Sequence, residues 1–514
     1  MKKCALFLVL CLLLSLTACG GADGGSSVSA PASVSSAATA EETSDNVPTQ
    51  PEYDISAELA VTTDYKTTGE EPLLTETTTI RFTNTSDTPW DKICLRDYAV
   101  ANLADANSYT DNPIYDASGS IRAVRDEQGQ ALAFAAQDDP SVVYVTLSEP
   151  LSPGARTAIT VDFQTLIPIG SERLSWWPVG EDYSKSTICL SQAYPVLAAY
   201  LDDGWDEAPY FTDGECFFSP CGSFRMTLRL PEDYTVISTG DETRNDDGSW
   251  TLSAERVRDF AVVVGNGFAV QTAQAGDVTV RSWYYEQDLA MGEIALQTAV
   301  EAVNAFTEQW GAYPYGTLDV VESAYGGGME YPGLVRISDS YLDMSGDEEL
   351  GVDGEQELRL TVAHETAHQW FYAVVGNDEY RQAWLDESFA VLGELTWQAA
   401  TGATEEELAA RVVELDAADV PQQYIDLSYD QYYDPFMMGG GYYVNAVYRR
   451  GPVFLWKLRD AMGADAFTAF LHDWYTEHQF TEVTTADFRA ALNRAAGENP
   501  IVADLVTQYL SPAN

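Results

Sequence analysis

The sequence predicts a multidomain α+β protein, an N-terminal antiparallel β-sandwich followed by a mainly helical domain. Three observations lead there. Up to about residue 270 the chain is made of segments that alternate apolar with polar side chains or are β-branched, separated by Gly, Pro, Asn and Asp. Beyond about residue 289 the apolar residues recur at helical spacing. With 514 residues, 46% of them apolar and 12% aromatic, the chain is long and greasy enough for two or three cores.

At the start, "MKKCALFLVLCLLLSLTAC" has two lysines and an apolar run shorter than the ~20 residues that span a bilayer. It reads as a signal peptide, residues 1–18, because its small residues lead into Leu16-Thr17-Ala18-Cys19, similar to a bacterial lipoprotein box. Cys19 is then the expected lipidated N-terminus, on the outer side of the cell membrane. Residues 19–51 are rich in Gly, Ser, Ala and Thr, bury too little to fold, and are expected to be a flexible tether. Cys94, Cys189, Cys216 and Cys221 follow. Cys216 and Cys221 are close enough to close a small loop, but buried thiols are an equal reading and no bridge is assigned.

Residues 52–274 carry the strands of the sandwich, including "ISAELAVTTDY", "LTETTTIRFTN", "RTAITVDFQTL", "SFRMTLRLP" and "RDFAVVVGNGF". Residues 275–514 carry the helices. One runs from Leu289 to a stop at Gly311, and others are expected around 355–375, 384–400, 404–418, 444–462 and 464–478. The charge balance is 27 Lys+Arg against 80 Asp+Glu, a net −53. Such a field repels nucleic acid and favours cationic or amine-bearing ligands, but a solvated acidic surface is the readier explanation and the charge alone names no substrate.

The informative stretch is "HETAHQWFYAVVGNDEYRQAWLDESFA". Two of the chain's four histidines, His364 and His368, stand four apart. On a helix these share a face, so both can ligate one ion. Glu365 lies about 100° around the helix and reaches a water rather than the ion itself. Catalytic zinc takes three protein ligands and keeps one position open. Glu387 is separated from His368 by eighteen residues and is expected to return as the third ligand through a turn at "VGND".

These residues resemble the aminopeptidase N-like family of gluzincin zinc metallopeptidases, whose pattern is HExxH followed by eighteen residues and a glutamate. "HQWF" and "WLDESFA" are similar to the flanking family segments, and Gly327-Gly328-Met329-Glu330 resembles the GxMEN signature with Tyr331 in place of asparagine. "VYRRG" resembles the segment that carries a catalytic tyrosine, which falls on Tyr448. The resemblance implies a thermolysin-like catalytic domain and one Zn2+ per chain, held by His364, His368 and Glu387. It implies Glu365 as general base and Tyr448 as donor to the carbonyl oxygen. Gly327, Gly328, Met329 and Glu330 would bind peptide substrates with a free N-terminus, Glu330 holding the α-ammonium. Gln192 is a candidate second amine contact. Tyr331 is expected to reshape the floor of the first side-chain pocket. Only 66 residues follow Tyr448, so the large C-terminal helical domain of long family members is not expected, and the site is expected to be open. The implied activity is an aminopeptidase acting on extracellular peptides. The alternatives are a less restricted zinc peptidase and a surface lipoprotein that binds peptides without cutting them.

Overall fold

A computed structural model describes residues 50–61, 70–108, 115–171, 173–179, 185–202, 204–211, 217–344, 352–416, 423–432 and 441–512. The proposed leader, most of the tether, and Cys216 lie outside these residues. Cys94, Cys189 and Cys221 are buried free thiols.

The N-terminal part is strand-rich. Its largest sheet has seven strands, and Glu52–Ala60 lies at the centre between Leu73–Thr83 and Gly222–Arg229. Glu52–Ala60 alternates buried and exposed positions, so Tyr53, Ile55, Ala57 and Leu59 face one core. The opposing layer supplies Ile93, Leu95, Val143 and Val145. One expectation is corrected: the sheet is mixed, because Glu52–Ala60 runs parallel to Gly222–Arg229 and antiparallel to Leu73–Thr83. Parallel pairing needs a long crossover, and more than 150 residues intervene here.

The C-terminal part combines helices with a five-stranded sheet, ordered Ala269–Ala275, Val278–Tyr284, Thr317–Ser323, Leu334–Ser338, Gly328–Met329. The helix Leu289–Trp310 ends at Gly311 (φ 127°), as its pattern predicts. Its Ala299, Ala302 and Phe306 face the core shared with the two motif-bearing helices, Gly354–Ala367 and Trp384–Ala400. The first of these is shorter than expected. It stops at His368, where Ala373 N–H turns back to the His368 carbonyl and Tyr372 N–H to that of Val375. The turn therefore lies earlier than "VGND". That segment instead begins a short strand, Val375–Gly376, and a four-residue helix, Glu379–Gln382, capped by Asp378. Among the described residues no helix is long and apolar enough to cross a membrane.

Candidate active site

The motif helix begins at Asp353, whose carboxylate accepts the Gln356 N–H, and it carries His364 and Glu365 in its last turn. The second helix enters on Trp384, fully buried with its indole N–H donated to Thr485. Gly393 lets the two helices touch, since a Cβ there would sit 2.4 Å from Ala367 Cβ. This contact holds Glu387 against the histidines.

His364 Nε2 is 3.1 Å from Glu387 Oε2, and His368 Nε2 is 3.4 Å from the same oxygen. The three donor atoms lie within 4.8 Å of one another. The other ring nitrogens are also engaged, His364 Nδ1 with Glu394 Oε1 at 3.0 Å and His368 Nδ1 with the Phe371 carbonyl at 3.1 Å. Both partners are acceptors, which assigns the ring protons to Nδ1 and leaves the Nε2 lone pairs converging on a carboxylate. Three acceptors that face one another call for a cation. Ligands about 2.0–2.1 Å from a tetrahedral zinc stand about 3.3 Å apart, so the observed spacing fits that ion. Burial pushes Glu365 up to about 8; the histidines oppose this and Glu330 and Glu387 add to it.

Among the described residues Gly328–Met329 is the edge strand of the five-stranded sheet and pairs with Leu334–Ser338 alone. It passes directly over the base, since a Cβ on Gly328 would lie 2.1 Å from Glu365 Oε1. Glycine is therefore required there by space. Glu330 follows, 5% exposed. Gln369 pins this end to the motif helix: its amide donates to the carbonyls of Glu330 and Tyr331 at 3.2 and 3.1 Å and accepts the Gly333 N–H. Tyr448 arrives on a π-helical turn, Asn445–Arg450, a feature that often marks functional sites. Its ring lies parallel to that of His364 at 6.1 Å, and its hydroxyl bonds to Glu387.

A profile of the Peptidase family M1 domain matches residues 294–509. "Aminopeptidase M1-A" of Oryza sativa subsp. japonica is 26% identical over 337 residues, 61% of this chain and 36% of its own. "Aminopeptidase N" of Lactococcus lactis subsp. lactis is 24% identical over 300 residues, 54% of this chain and 34% of its own. A crystal structure of an M1 zinc metallopeptidase mutant from Deinococcus radiodurans superposes with a TM-score of 0.58 at 17% identity, covering 90% of this chain and 96% of that one. Residues 294–509 are thus similar to the Peptidase family M1 domain. The match spans about a third of the length of the two named sequence relatives.

The structure brings His364, His368, Glu387, Glu365, Tyr448, Gly328 and Glu330 to one place. Tyr331 differs from expectation. It is 1% exposed and packs in the core with Cys189, Val263, Val321 and Leu334. Gln192 sits in the strand-rich N-terminal part, buried in the αL region at φ 51°. Sequence reasoning missed two residues, Glu394 and Gln369. Glu394 lies seven positions after Glu387, two turns along the same helix face, and that spacing was the available signal. Gln369 follows the second histidine directly and has no comparable signature.

Proposed function

We propose that this chain is a zinc-dependent aminopeptidase that removes N-terminal residues from extracellular peptides, tethered to the cell membrane by lipid on Cys19. The observation that carries the reading is the edge strand Gly328–Met329, which crosses Glu365 and presents Glu330 beside the zinc-fitting triad. The names of the relatives, aminopeptidase and zinc metallopeptidase, support it.

A zinc ion held by His364, His368 and Glu387 would supply positive charge that polarises the scissile carbonyl and acidifies water. The chain's own groups do the rest. The unpaired side of Gly328–Met329 offers backbone groups to an extended substrate. Glu330 accepts hydrogen bonds from the α-ammonium, which fixes the first peptide bond over the triad. Glu365 takes the proton of the attacking water and passes it to the leaving amine. The Tyr448 hydroxyl donates to the carbonyl oxygen as that oxygen gains charge.

The test is mass spectrometry of digests made by the zinc-loaded protein, using matched free and N-acetylated peptides. Free peptides should shorten one residue at a time and blocked ones should persist. Glu330→Ala should erode that discrimination. Internal cleavage of blocked peptides at similar rates would instead favour a less restricted zinc peptidase.

A further inference from the structure

The turn that ends the motif helix carries two adjacent residues with different bonds. His368 offers Nε2 to the triad, and its Nδ1 is engaged by the Phe371 carbonyl. Gln369, next to it, is fully buried, and its side chain bonds to the backbone at the end of the edge strand. Its Nε2 donates to the carbonyls of Glu330 at 3.2 Å and Tyr331 at 3.1 Å, and its Oε1 accepts the Gly333 N–H at 2.7 Å. Two backbone acceptors and one backbone donor fix which way the amide points.

The segment it grips is already stiff. Leu334 N–H returns to the Tyr331 carbonyl at 2.9 Å, with Pro332 and then Gly333 at φ 72° between them. Proline followed by a glycine of positive φ is the pattern of a type II turn. The turn is therefore closed by its own bond, and the Gln369 amide is not needed to form it. What the amide adds is a fixed place for the turn, and for Glu330 just before it, relative to the metal end. The preceding residues are held as well. Arg173, from the N-terminal part, donates from Nη1 to Met329 Sδ at 2.9 Å, and Gly328 lies against Glu365. Gln369 alone among these contacts joins the strand to a metal-fitting residue through a single peptide bond.

We propose that Gln369 is a positioning residue that sets the separation between Glu330 and the metal, and so restricts the site to substrates whose ammonium is on the carbon next to the scissile carbonyl. This rests on the aminopeptidase reading of the same site. An α-ammonium meets Glu330 while its carbonyl lies over the triad. A β-amino acyl group is one methylene longer, so either its ammonium or its carbonyl is displaced by about 1 Å, a misplacement that costs about a hundredfold. A loose strand would follow the longer substrate. A strand tied to the metal turn does not.

The experiment measures kcat/KM of the zinc-loaded protein on leucyl and β-homoleucyl arylamides. Leucyl should exceed β-homoleucyl by about a hundredfold. Gln369→Met keeps the length and removes the amide, and it should narrow that ratio by about tenfold through the lost hydrogen bonds, with zinc content by metal analysis unchanged. A loss of stability alone would lower both rates together and leave the ratio where it was. In a Glu330→Ala background the same change should move the ratio no further, because no anchor is left to place. Equal wild-type rates on the two substrates, or an unchanged ratio in Gln369→Met, overturns the positioning role and leaves the aminopeptidase standing. Loss of zinc in Gln369→Met overturns it too, by making the residue part of the metal cradle. Failure of the wild type to cleave any free arylamide overturns the aminopeptidase reading itself. If Gln369→Met does not fold, Gln369→Glu, which still accepts from Gly333 but presents oxygen to the two carbonyls, takes its place and the same ratio decides.

Discussion

The metal end of the site takes its three donor atoms from the twenty-four residues His364 to Glu387, while the amine end gathers Arg173, Met329, Glu330 and Gln369 from both halves of the chain. At the metal end Glu394 and the Phe371 carbonyl orient the imidazoles, whose Nε2 atoms converge with Glu387 on one point. At the amine end Arg173 and Gln369 hold the edge strand and the turn after it. An ion that stays bound needs a prearranged cradle. A substrate that must leave is placed instead by a strand whose own backbone is fixed.

The sharpest way to break this comparison is Glu365→Gln, which stands between the two ends. The change keeps the shape under Gly328 and removes the base. Turnover should fall by about 10²–10⁴-fold, the usual worth of positioned proton transfer, while zinc content by metal analysis stays stoichiometric. A protein that lost its zinc would make Glu365 part of the metal end instead. Tyr448→Phe comes next. If the hydroxyl acts as charge develops, kcat should drop by about 10²–10³-fold with KM little changed. An unaffected kcat would reassign the role, with Tyr443, 5.9 Å away, the nearest ring to test.

The same contrast explains what was legible in the sequence. His364, His368 and Glu387 are set by helix period and one short return, so spacing alone locates them. The helical domain's elements were readable for the same reason, as Leu289–Trp310 and Trp384–Ala400 show. The end of the motif helix at His368 was not, because His368, Gln369, Trp370 and Phe371 continue an apolar helical pattern and tertiary bonds impose the turn. The parallel pairing of Glu52–Ala60 with Gly222–Arg229 was likewise invisible, since alternation fixes which face is buried and says nothing of which strand lies alongside. Gln369 was hidden in plain view. Nothing local reveals that a glutamine after the second histidine holds the backbone of a distant strand.

A smaller effect tests how far the metal end depends on its outer partner. Glu394→Gln should weaken zinc binding by about 10–100-fold, read as competition with a chelator, because an amide orients His364 Nδ1–H less strongly than a carboxylate. Affinity equal to wild type would show that the helix contact at Gly393 alone places the ring.

The last prediction concerns a buried acid away from both ends. Glu76, in the sandwich core, is 3% exposed, accepts from the Thr78 hydroxyl at 2.9 Å, and leaves Oε2 without a partner. Burial pushes Glu76 up to about 8; Thr78 lowers it and Asp97 adds to the rise. A folded-state pKa above the unfolded one means that the folded state binds the extra proton between about 4.5 and 8. Stability therefore falls as pH rises through that window, and the whole penalty is present above it. Glutamine mimics the protonated form. Glu76→Gln should match wild type below the window and exceed it above, by roughly a few kcal/mol at most, seen as a higher melting temperature at pH 8.5 than wild type and a narrower gap at pH 5.5. Identical melting curves at both pH values would remove the strain assigned to Glu76.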